Sequence, residues 1–170
     1  MGISEVVMLA MMGHMVVLDT ALGTLRRMDV ACVQEIRWRG SGCRSFGAIG
    51  KRYKLFWMGS KAKTDGVGIF VAEKWVDSVV SVEKHSERVL VLKMVLGDCL
   101  LNVFTVYAPP SGKPDEEKES FRNEVFHLVS CILQNKMVVF AGDMNGHIGS
   151  SNVGYDGIWH KMNFYSSLVS

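Results

Sequence analysis

Several features that would settle the class of this chain at once are missing from it. Its four cysteines include no Cys-x-x-Cys pair, and Cys32, Cys99 and Cys131 lie in apolar segments. That spacing excludes the usual zinc sites and argues against a disulfide frame, so the thiols are expected to be buried in a reducing compartment. The first 18 residues are rich in Met, Val and Leu but have no basic start and no small-residue cleavage site. Neither a signal peptide nor a membrane span is read there, and the expected location is intracellular, nuclear or cytoplasmic, not secreted. Val6 stands where an N-myristoylation signal needs Ser or Thr. The stretch Gly66-Val-Gly-Ile-Phe-Val71 lacks the Lys-Ser or Lys-Thr of a phosphate loop and reads as a strand in close backbone contact. Acidic residues are absent from Ile36 to Thr64, a segment that holds eight Lys or Arg residues together with Trp38 and Trp57. A net charge of +2 names no partner, but this local imbalance suits a surface for backbone phosphates.

What is present reads as α/β. An apolar fraction of 48% over 170 residues is enough for one domain with a real core, and no repeat or linker divides residues 1–170. Ile3 to Met12 is a weak strand signal, and Leu18, Leu22, Leu25 and Met28 recur at helical spacing. Val30 to Val33, Tyr53 to Met58, Gly66 to Val71, Ser78 to Val82 and Val89 to Leu96 are short apolar or β-rich runs. Gly97-Asp98 has the form of a hairpin turn, with Cys99 to Val106 returning and Pro109-Pro110 ending the ladder. Gly40 to Gly50, rich in Gly and Ser, is expected to be loop. After Pro114, the acids Asp115, Glu116 and Glu117 suit the positive end of a helix dipole, and Phe121, Val125, Leu128, Val129 and Ile132 form one apolar face.

Three strands end in residues that can do chemistry: Glu35, Tyr107 and Asp143. The last sits in Val138-Val-Phe-Ala-Gly-Asp-Met-Asn145, where the glycine is expected to permit a tight backbone and Asp143 and Asn145 to point the same way. Sites in layered α/β proteins form at the carboxyl ends of strands. Should these ends share one edge, two carboxylates and an amide would suit a hard divalent ion, Mg2+ or Mn2+, that takes oxygen ligands. The five histidines, His14, His85, His127, His147 and His160, do not sit where they would serve as the base.

Val33-Gln-Glu35, Gly66-Val-Gly-Ile69, Asn102-Val-Phe-Thr-Val-Tyr107-Ala-Pro109 and Gly142-Asp-Met-Asn145 follow one another in the order seen in the endonuclease/exonuclease/phosphatase superfamily, which the chain resembles from about Leu18 to about Phe164. Asp29-Val-Ala-Cys-Val-Gln-Glu35, Ser86-Glu-Arg-Val89 and Gly142-Asp-Met-Asn-Gly-His-Ile-Gly149 look closer still to the endonucleases of RTE-type LINE retrotransposons, and host proteins of the craniofacial development protein 2-like kind are similar. The resemblance implies a four-layer α/β sandwich and metal-dependent cleavage of DNA phosphodiesters. It makes Glu35 a metal ligand, Asp143 the residue that positions or activates the attacking water, Asn145 the one that orients Asp143 and the phosphate, and Tyr107 a contact to the scissile phosphate. Mg2+ or Mn2+ is then the expected cofactor and DNA the expected partner, with Arg37, Arg39, Arg44, Lys61 and Lys63 along its backbone and no membrane involved.

The pattern departs from that family in two places. The family's first-strand Asn has no counterpart in Val6 to Met12, and the chain reaches Ser170 without a Ser-Asp-His motif. The expectation is a domain short of the C-terminal part of its second sheet, with weak or no cleavage by the chain alone. Two other readings stand beside the enzyme: an inactive module that keeps a nucleic-acid- or protein-binding surface, and a non-functional fragment.

Overall fold

The computed structural model describes residues 6–8, 29–48, 51–132, 136–143 and 163–164. The helix expected over Leu18 to Met28 lies outside them, as do Asn145, His14, His147 and His160. The first sheet takes β1 (Val6–Met8), β2 (Val30–Gln34), β3 (Ser41–Ala48), β4 (Lys51–Gly59) and β5 (Gly66–Ala72) in the order β1-β2-β5-β4-β3. A single helical turn, α1 (Glu73–Val76), leads out of it. The second sheet takes β6 (Val79–Ser86), β7 (Val89–Leu96), β8 (Cys99–Tyr107), β9 (Met137–Asp143) and β10 (Asn163–Phe164) in sequence order, with α2 (Asp115–Ser130) crossing between β8 and β9. The crossover makes β8 and β9 parallel, whereas β7 and β8 are antiparallel and joined tightly at Gly97-Asp98, with Leu96 opposite Cys99.

Alternation along the strands sorts the apolar residues into layers. Val30 and Cys32 of β2 and Val67, Ile69 and Val71 of β5 face Leu90, Leu92, Met94, Leu101, Val103, Val139 and Ala141 of the second sheet in one buried cluster. The intervening residues of the second sheet, among them Val89, Val91, Phe104, Val106 and Phe140, pack under Phe121 and Val125 of α2. β9 is therefore buried on both faces at Val139 to Ala141, as its unbroken apolar run implies. The expected apolar face of α2 is the one that packs, with Leu128, Val129 and Ile132 half-buried beside Phe121. Asp115, Glu116 and Glu117 lie in its first turn. The described residues thus form an α/β sandwich. Among them, no helix is long and apolar enough to cross a membrane.

The expected loop at Gly40 to Gly50 is instead largely a strand. β3 pairs with β4 over eight residue pairs from Ser41–Met58 to Ala48–Lys51. Glycine weakens an isolated strand, but here the Trp57 indole covers Gly42: a Cβ on that glycine would lie 2.8 Å from the ring. The thiols also differ from expectation. Cys32 is buried, and burial pushes its thiol up to about 12 despite a hydrogen bond with Thr105. Cys99, however, is half-buried in a strand that opens at a turn, and Cys131 is exposed at the end of α2, off the face that Val129 and Ile132 share.

Candidate active site at one edge of the sandwich

Because β2 and β8 run the same way on facing sheets, their carboxyl ends meet at one edge. Gln34 takes the inward slot of β2, where its buried amide donates to Thr105 Oγ1 at 3.3 Å. Continued extension would send the next residue to the opposite face. The backbone turns left-handed instead, with φ of 53° at Glu35 and 56° at Arg37. The turn swings the Glu35 carboxylate across to the other sheet, where the Tyr107 hydroxyl donates to Oε1 at 2.8 Å. Oε2 faces the Arg37 guanidinium at 3.1 Å.

Left-handed backbone at non-glycine residues is costly and persists where neighbours over-determine it. The structure supplies those neighbours. The Ile36 and Arg37 amides donate to the Gly66 and Asp65 carbonyls. The Ile36 side chain fills the space above Gly68, where a Cβ would come within 2.4 Å of Ile36 Cδ1. The close backbone contact expected at Gly66 to Val71 is thus the seat of the Glu35 turn.

Tyr107 is buried, and it lies opposite Asp143 in the parallel β8–β9 ladder, with the Ala108 amide donating to the Asp143 carbonyl at 2.8 Å. Parity along β9 puts Asp143 on the same face as Val139 and Ala141, the face that Tyr107 shares. Gly142 serves this arrangement differently from expectation. No left-handed φ occurs there; a Cβ would lie 1.9 Å from the Val106 carbonyl oxygen, so only glycine lets β9 lie this close to β8 beside the site. The Tyr107 phenol is held well above its usual range by burial first, then by its hydrogen bond to Glu35 and the charges of Glu35 and Asp65, with Arg88 opposing them. It stays a neutral hydroxyl, able to donate.

Two charged residues here belong to no expected site set. Arg88, which precedes β7, is buried between Tyr107, Glu117 and Asp65, with Nη2 3.2 Å from Glu117 Oε1 and 3.5 Å from Asp65 Oδ1. Arg88 did carry a signal, in Ser86-Glu-Arg-Val89, and Asp65 abuts the glycine that opens β5. Nothing local in the sequence pairs them.

Of the expected phosphate contacts, Arg37 and Arg39 follow β2, Lys61 and Lys63 lie in the turn between β4 and β5, and Arg44 stands on β3; all are exposed. The Arg37 amide bonded to the Asp65 carbonyl ties the first pair to the second. Four of the five cations therefore sit at the end of the sandwich that carries Glu35. Arg44 is further along the ribbon, over the Phe46 ring. Asn145 lies outside the described residues. The described residues hold no group of three or more His, Cys, Asp or Glu side chains gathered to hold a metal ion. Among the described residues, the oxygen donors closest to this edge are Glu35 and the Asp143 strand end, with Arg37 on one Glu35 oxygen and Tyr107 on the other.

No protein-family profile matches the sequence, and neither does any curated protein. Solved structures do match. The endonuclease domain of TRAS1, a telomere-specific non-LTR retrotransposon, superposes with a TM-score of 0.50 at 16% identity, covering 82% of this chain and 58% of that one. An AP endonuclease from Archaeoglobus fulgidus gives 0.54 at 26% identity, over 75% of this chain and 52% of that one. The fold is that of the endonuclease/exonuclease/phosphatase superfamily. A humanised D. rerio TDP2 with this superfamily fold gives 0.55 at 15% identity, over 82% and 61%. The chain thus spans between about half and three-fifths of the length of these superfamily structures.

Proposed function

We propose that this chain carries the phosphodiesterase site of a retrotransposon-type endonuclease, acting on DNA with Mg2+ or Mn2+. The observation that supports it most is the 2.8 Å bond from Tyr107 to Glu35, residues 72 apart in sequence, beside the strand end at Asp143. The donors are oxygens only, and Glu35 keeps 18% of its side chain exposed, which suits a hard ion that retains most of its waters. A divalent ion held by Glu35 would supply charge to polarise a phosphoryl oxygen.

The chain's own residues would do the rest. Asp143 accepts the proton of the attacking water, and Asn145 orients Asp143 and the phosphate. The neutral Tyr107 hydroxyl turns its single proton from Glu35 to a phosphate oxygen, and Arg37, Arg39, Lys61 and Lys63 hold the flanking backbone, with Arg44 extending the track. Water oxygen bonds to phosphorus as the ester P–O bond breaks, and the departing oxygen takes a proton from solvent to leave as a hydroxyl.

The test is nicking of supercoiled plasmid by the full chain with Mg2+. Weak metal-dependent nicking, reduced a further 10²- to 10⁴-fold, roughly, by Asp143→Ala, is the expected result. A folded chain that never nicks overturns it. The basic rim favours one second reading, a binding module without cleavage, which salt-sensitive DNA binding by the same inactive chain would support.

A further inference from the structure

The geometry points to Arg88 as the positioning residue of Tyr107, the group that fixes where the phenol presents its hydroxyl to Glu35. Arg88 meets Tyr107 in three ways. Its main-chain carbonyl accepts the Tyr107 amide at 2.9 Å. Its Nη1 donates to the Tyr107 carbonyl at 3.3 Å. Its guanidinium carbon stands 5.3 Å from the centre of the Tyr107 ring, within the range of a cation–π contact. The first of these belongs to the sheet and any residue could make it; the other two need a planar, forked cation. Guanidinium is what can lie on a ring face while its nitrogens reach separate acceptors.

The far side of the fork is anchored as well. Glu117 comes from the first turn of α2 and Asp65 from the turn before β5, so the two carboxylates hold Arg88 from a helix and from a separate turn. Arg88 is only 7% exposed. It therefore faces the interior side of Tyr107 and leaves the hydroxyl to Glu35. The acids at the start of α2 acquire a second use here: beyond matching the helix dipole, Glu117 ties the crossover helix to the edge where β8 ends. Lysine would keep the charge but could not serve the Tyr107 carbonyl, two carboxylates and the ring together.

This deepens the function proposed above and rests on it for its meaning in catalysis, so the test is made on the full chain without DNA or metal. Tyrosine labelled with 13C at Cζ gives one signal for each of the four tyrosines. Tyr107→Phe assigns the one of interest, and Glu35→Gln records its shift when the carboxylate partner is lost. Arg88→Lys is expected to move the Tyr107 signal in the same direction as Glu35→Gln, with far-UV circular dichroism and the other three signals unchanged. A Tyr107 signal left at its wild-type position overturns the proposal. Should Arg88→Lys fail to fold, the double variant Asp65→Asn, Glu117→Gln removes the anchoring charges at constant volume, and the same two outcomes apply to it. Where the wild type nicks DNA, Arg88→Lys is expected to lower kcat with little change in KM, since Arg88 does not face the backbone track. Absence of nicking would defeat the function proposed above and leave the NMR result intact.

Discussion

The edge where β2, β8 and β9 end and the ribbon of β3 and β4 both carry charged residues, but they hold them by opposite means. At the edge, Arg88 is 7% exposed and its contacts come from distant segments, and Glu35 is pinned by Tyr107 and Arg37. On the ribbon and its flanking turn, Arg44, Lys61 and Lys63 are exposed, and short-range bonds place them: the β3–β4 ladder for Arg44, and the bonds of the Lys63 and Thr64 amides to Ser60 for the turn. Desolvated, mutually bonded groups gain geometric definition at the risk of a large penalty when one partner is lost. Exposed cations gain long-range attraction for a polyanion and tolerate individual loss. The edge is built to place atoms, the ribbon to gather charge.

The largest expected difference between the two regions is in their glycines. At Gly142 a Cβ would sit 1.9 Å from the Val106 oxygen, and a main-chain carbonyl in a ladder cannot swing away. Gly142→Ala should part β9 from β8 beside Asp143 and lower stability by about 3 kcal/mol, at the upper end of overpacking. In the ribbon, a Cβ added to Gly47 would meet only the flexible Arg52 Cγ, at 4.0 Å, and the φ of Gly47 is not left-handed. Gly47→Ala should change stability by no more than about 0.5 kcal/mol. Urea unfolding of both variants checks the pair; equal losses would erase the distinction.

The same contrast explains what could be read in the sequence. The Gly97-Asp98 turn, the strand buried on both faces at Val139 to Ala141 and the acidic start of α2 all follow local rules, and local rules are what a sequence displays. β3 is hidden because its glycines and serines look like loop, whereas its pairing with β4, and the Trp57 ring lying over Gly42, appear only once the sheet is assembled. At the edge, Glu35, Tyr107 and Asp143 were visible as strand ends. Only the resemblance implies that they meet, and how they do so depends on a left-handed backbone at Glu35 that is held by Ile36 seated over Gly68. Arg88 escaped for a related reason: its partners Asp65, Tyr107 and Glu117 come from three elements, and no periodicity links them.

A smaller effect should sharpen the account of the ribbon. With phosphates as the ligand, log K for DNA falls linearly with log salt, and each phosphate contact removed reduces the slope by about 1. Arg44→Ala and Lys61→Ala are each expected to flatten the slope by about that amount and to weaken all sequences alike. Fluorescence anisotropy across a salt series reads this directly. An unchanged slope in both would take these two residues off the path of the DNA.

The smallest effect concerns a pair that resembles the edge in chemistry and the ribbon in exposure. On β6 and β7, Lys93 donates to Glu83, and that hydrogen bond, partly opposed by burial and helped by the charges of Lys93 and His85, holds the Glu83 carboxyl below its ordinary 4.5. A carboxyl with a depressed folded pKa contributes stability above its unfolded value and loses it as pH falls through the folded one. The contribution should therefore be complete above about pH 5 and fade below 4.5. Glu83 keeps 37% of its side chain in solvent, so screening leaves the pair a small share of stability. Lys93→Met should therefore cost on the order of tenths of a kcal/mol at neutral pH and converge on wild type as the carboxyl protonates, as urea midpoints across the acid range would register. A loss at neutral pH as large as that of Gly142→Ala would mean that cross-strand charge, and not close approach of backbones, governs how this sheet is held together.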